Sequence, residues 1–119
     1  MTTSDAIVTL LNQQQQHLDV LLSLLRQELA ALASRDISLL EALTQQKTDV
    51  LQQVQQLDEQ LSLSPELESC KQQDWFKDHL QRLEDKLAQC KFQNQVNSQS
   101  VEQSQLVIER FKTELLQSR

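Results

Sequence analysis

The chain of 119 residues contains no glycine, no tyrosine and a single proline. Tight β-hairpins depend on Gly-containing two-residue turns, so their absence excludes a hairpin-rich fold. Long apolar runs are missing too: no stretch approaches the ~20 residues that span a bilayer as a helix. The opening "MTTSDAIVTLLNQQQQ" has no basic segment ahead of an apolar run and so does not read as a signal peptide. Basic clusters are also lacking. The eleven Lys and Arg are scattered through a chain of net charge −6, which disfavours nucleic acid and anionic membrane as partners. The expectation is a soluble, cytoplasmic protein without stable membrane insertion.

Signs of catalysis are equally scarce. No nucleophile–base pair, Gly-rich phosphate loop or metal-ligand spacing occurs, so neither an enzyme nor a bound cofactor or metal is expected. Cys70 and Cys90 lie twenty residues apart, ~30 Å along one helix, too far for a disulfide within it. With His17 and His79 they form no recognisable metal spacing, and they read as two free, semi-buried thiols.

Leu and Gln each supply roughly one residue in five. Together with Glu, Lys and Ala they keep most of their rotamer freedom in a helix, so the chain is predicted to be all-α. In the first helix (about 5–33) apolar residues recur at Leu11, Leu18, Leu22, Leu25, Leu29 and Leu32, with Gln15 as the polar member of the stripe. Ser4 is a candidate N-cap for it, and Asp36 for the second helix (about 36–62), whose seam includes Leu43, Lys47, Val50, Val54 and Leu57. Lys47 on that seam reads as a snorkelling side chain whose amine reaches solvent or an acidic neighbour, with a register-fixing role second. Ser64 and Pro65 suit the start of a third helix (about 65–117), and the aromatic pair Trp75–Phe76 is expected in the core.

From Phe76 one seam continues through Leu80, Leu83, Leu87, Cys90, Asn94, Asn97, Val101, Ser104, Ile108, Phe111 and Leu115 without a phase slip, which predicts one long helix. The polar stretch "FQNQVNSQS" is the place for a hinge, because Asn and Ser compete for backbone hydrogen bonds. Antiparallel register sets Asn94 and Asn97 at the end of the bundle, opposite "ASRD". The last twenty or so residues, ~30 Å of helix, would then overhang. Val101, Val107, Ile108, Phe111 and Leu115 fall within about 120° of one another on that segment, an apolar face wanting a partner. The expected architecture is therefore one helical domain, 1–119: an antiparallel helical hairpin plus a long third helix. It forms a coiled-coil-like three-helix bundle with a protruding or fold-back C-terminal amphipathic segment, about 98–117.

Two stretches carry a family resemblance. "QQHLDVLLSLLRQELAALASRDISLLEALTQQKTDVL" resembles the N-terminal pattern of the FlgN family of flagellar type III export chaperones. "CKFQNQVNSQSVEQSQLVIERFKTELLQSR" is similar to the C-terminal helix of its gammaproteobacterial members. The resemblance implies a client, the hook–filament junction proteins of the FlgK and FlgL type. It further implies that the chaperone holds the client's C-terminal amphipathic helix, prevents premature self-assembly and delivers it to the membrane export gate. Carried onto this sequence, the client-binding face is Val101, Ile108, Phe111 and Leu115, with Val107 beside them. Family members usually continue into a polar tail containing a Tyr implicated in gate docking; this sequence has no Tyr, so that contact is not assigned to a residue. The heptads by themselves equally fit a structural coiled-coil protein that self-associates, as a homodimer, through the same seam.

Overall fold

The computed structural model describes the backbone of residues 3–117 and the side chains of residues 5–99. The first corner shows how a chain without glycine turns. Helix α1 (Thr3–Ser34) ends on Arg35, whose φ of 57° lies in the left-handed region. The Arg35 N–H donates to the Leu32 carbonyl at 3.2 Å and the Asp36 N–H to the Ala31 carbonyl at 3.0 Å, a helix closure usually built on glycine. A residue with a Cβ adopts this conformation at a cost of roughly 1–2 kcal/mol. Asp36 then accepts the Leu39 N–H at 3.1 Å and caps α2 (Ile37–Leu63), as its sequence position predicts.

The second corner departs from expectation. Ser64 is extended (ψ 123°), as the residue before a proline must be, but its hydroxyl donates to the Glu66 carboxylate at 2.8 Å instead of capping a long helix. A single turn of helix follows, α3 (Leu67–Cys70), and only then α4 (Asp74–Gln117). The predicted continuous helix from Pro65 is thus interrupted at 71–73, where the Gln73 N–H bonds back to the Cys70 carbonyl at 3.0 Å. Packing supplies the reason: Leu67 and Cys70 already bury into the core, and the chain must be redirected before Trp75 and Phe76 can join the same core. Those two rings meet edge to face with centroids 6.0 Å apart, Phe76 buried and Trp75 half-buried, as expected of a core pair.

Helix α1 is the centre of the molecule, packing against α2 on one side and α4 on the other, while α2 and α4 approach each other much less closely among the described residues. Two cross-links fix the direction of α4. The Cys90 thiol donates to the Leu18 carbonyl at 3.6 Å and the Asn97 amide to the Leu25 carbonyl at 2.8 Å, both at a separation of 72, so α4 runs parallel to α1. Asn97 therefore lies beside Leu25, nine residues or ~13 Å short of the end of α1, and not at the corner where the antiparallel register had set it. The end of α1 is therefore level with a part of α4 well beyond residue 97.

Burial follows from this arrangement. Along α1 both flanks are covered, with Ile7, Leu11, Leu18, Leu22, Leu25 and Ala31 among the buried residues. Each outer helix buries one position in seven: Leu43, Val50 and Leu57 on α2, and Phe76, Leu83, Cys90 and Asn97 on α4. The intervening seam positions Leu80 and Leu87, which a closed three-helix core would cover, remain 41% and 40% exposed.

Candidate functional site

Near its upper end the bundle is tied by a polar layer. Glu28 of α1 is buried, with one carboxylate oxygen 3.0 Å from the Lys47 amine of α2 and the other 2.9 Å from the Asn97 amide of α4. The same Asn97 nitrogen reaches the Leu25 carbonyl, and its oxygen accepts from Gln93 at 3.1 Å. All polar atoms of the buried carboxylate and amide are thereby used, as low-dielectric surroundings require. Lys47 behaves as predicted, its stem on the seam and its amine on an acid. Glu28 was not singled out by pattern, because an acid on a helix normally reads as part of the solvated face. Asn97 thus makes its hydrogen bonds within the bundle, while Asn94, on the same expected seam, is exposed.

Lower down, α2 and α4 stand apart and leave a groove of about 870 Å³ floored by α1. Leu11 and Leu18 of α1, Leu51 and Val54 of α2, and Leu80 and Leu87 of α4 give it an apolar lining. Gln14 lies among them. It is 8% exposed; its amide donates to the Val54 carbonyl at 3.0 Å, yet its side-chain oxygen has no hydrogen-bond partner. The polar member of the α1 stripe is therefore Gln14, not Gln15, which is only half-buried. Asp58, Lys77 and Glu84 stand at the groove's edges, and none of them makes an ion pair among the described residues.

Cys70 and Cys90 are both free and buried. Burial raises the pKa of Cys90 above its ordinary value; Lys86 and Arg26 pull it down and Asp19 pushes it further up. Lys86 itself is paired with Asp19 at 3.0 Å, a second tie between α4 and α1. Among the described residues no group of acidic, His and Cys side chains could hold a metal ion, and no helix is long and apolar enough to cross a membrane. The side chains of Val101, Val107, Ile108, Phe111 and Leu115 lie outside the described residues; the helix that carries them runs to Gln117.

Comparison with known proteins gives one result. No curated protein and no solved structure matches the chain. The family model described as FlgN protein matches residues 1–119, the full length of the sequence. That family is one of flagellar export chaperones, not of enzymes, and this chain belongs to it.

Proposed function

We propose that the protein is a cytoplasmic chaperone for hook–filament junction proteins of the FlgK and FlgL type. It binds their C-terminal amphipathic helix through Val101, Val107, Ile108, Phe111 and Leu115 and delivers them to the export gate. The observation that carries this reading is the family match along the whole chain, joined to the helical course of α4 through residue 117. A helical course makes the wheel arithmetic applicable, and the five residues then share one face. Burying four such side chains at ~1.5–3 kcal/mol each, less the ordering cost, is consistent with micromolar binding. The heptad seam also permits self-association as a homodimer, and the same experiment separates the two readings.

The test is sedimentation of the chain mixed with a full-length FlgK-type junction protein, alongside Ile108→Asp and Phe111→Asp. A one-to-one complex that both variants lose supports the reading. A complex unaffected by either substitution removes the assigned face. A tight dimer of this chain that ignores the junction protein leaves a coiled-coil scaffold in its place.

A further inference from the structure

The groove between α2 and α4 has a chemistry of its own. Its walls are leucine-rich, and Leu51, Leu80 and Leu87 are all more than a third exposed along it. The charges at the groove's edges are grouped by sign. The Gln14 oxygen is a buried acceptor without a donor. The cross-links Gln14–Val54 and Cys90–Leu18 set Asp58 of α2 level with about residue 82 of α4, so Glu84 stands within ~3 Å of Asp58 along the bundle axis on the opposite wall. Neither carboxylate makes an ion pair among the described residues, and of the lysines nearby Lys86 is committed to Asp19 and Lys71 to Glu68. Toward the Phe76 end the sign reverses at Lys77, about two turns or ~10 Å from Glu84.

We infer that this groove is a second docking site of the chaperone, and that it takes an amphipathic helix of the client whose apolar face carries a Lys or Arg. The occupant's apolar side chains cover Leu51, Leu80 and Leu87. Its cation sits between Asp58 and Glu84, and an acidic residue about two turns away meets Lys77. The charge pattern fixes the direction in which the helix lies, and a helix presenting an acid to Asp58 and Glu84 would be disfavoured, which is a basis for discrimination. The inference rests on the chaperone reading, since the client supplies the helix, but it uses residues distinct from 101–115.

The test is a calorimetric titration of the full chain with a full-length FlgK-type junction protein. Three variants are compared with the parent: Leu87→Asp, the double reversal Asp58→Lys/Glu84→Lys, and Ile108→Asp. Circular dichroism and an unfolding curve on each establish that it is folded; Leu87→Asn replaces Leu87→Asp if the latter is not. The expected result is at least a tenfold weaker affinity for the Leu87 variant, and a several-fold weaker affinity for the charge reversal that diminishes at high salt. Parent-like binding by both groove variants overturns the groove while leaving the chaperone reading intact. No binding by the folded parent overturns both, and loss in Ile108→Asp alone restricts the client to the C-terminal face. If the chain without client sediments as a dimer that Leu87→Asp dissociates, a second copy covers the groove and the inference fails.

Discussion

Two levels of the same helix face behave oppositely. Gln14 and Glu28 lie fourteen residues apart on α1, two heptads, and so occupy equivalent positions on it. At Glu28 both flanking helices contribute: Lys47 from α2 and Asn97 from α4 satisfy the carboxylate, and Asn97 is buried in doing so. At Gln14 only α2 contributes, through the Val54 carbonyl, and the side facing α4 meets leucines. The upper level is closed and self-sufficient; the lower level is open on one wall. Sequence-equivalent polar positions in one bundle can thus do different work, one fixing how three helices meet and the other tying only two of them.

Breaking the closed level should have the largest effect. Glu28→Ala leaves Lys47 and Asn97 without their shared acceptor, and a loss of about 2–4 kcal/mol is expected in urea unfolding; Lys47 is partly exposed, which keeps the figure below that of a fully buried pair. Asn97→Ala removes one donor and leaves Glu28 its lysine, so the loss should be smaller, about 1–3 kcal/mol by the same measurement. Gln14→Leu sharpens the contrast. It forfeits one hydrogen bond to Val54 but removes the unpaired oxygen, so stability should change by less than about 1 kcal/mol in either direction. The smallest effect belongs to the corner beyond the closed level. Arg35→Gly relieves the left-handed conformation at the expense of unfolded-state entropy, and a net gain of about 0.5–1 kcal/mol should appear as a raised Tm.

Much of the scaffold was legible in the sequence because its signals are local. The lack of glycine, the Asp36 cap and the break at Ser64–Pro65 each act within a turn of helix. Among the described residues the α4 seam is buried at Phe76, Leu83, Cys90 and Asn97, but periodicity cannot say how many neighbours a helix has. Phe76, Leu83 and Cys90 bury against α1, whereas Leu80 and Leu87, indistinguishable from them by pattern, look into the groove because α2 stands away. Asn97 lies further from the bundle end than the antiparallel register implies because the chain spends α3 and residues 71–73 turning the corner, so that α4 starts only at Asp74. Glu28 carried one usable signal, its heptad spacing from Leu21 and Gln14, which sets an acid on a buried stripe.

Hydrogen exchange of the full chain, with and without a FlgK-type junction protein, tests the division between closed and open levels most directly. The account predicts new protection at residues 101–115, at 51–62 of α2 and at 76–87 of α4, with amides around Leu25, Glu28 and Lys47 already slow and unchanged by client. Protection that appears around Glu28 instead, or that leaves both the groove walls and the C-terminal segment untouched, would contradict it.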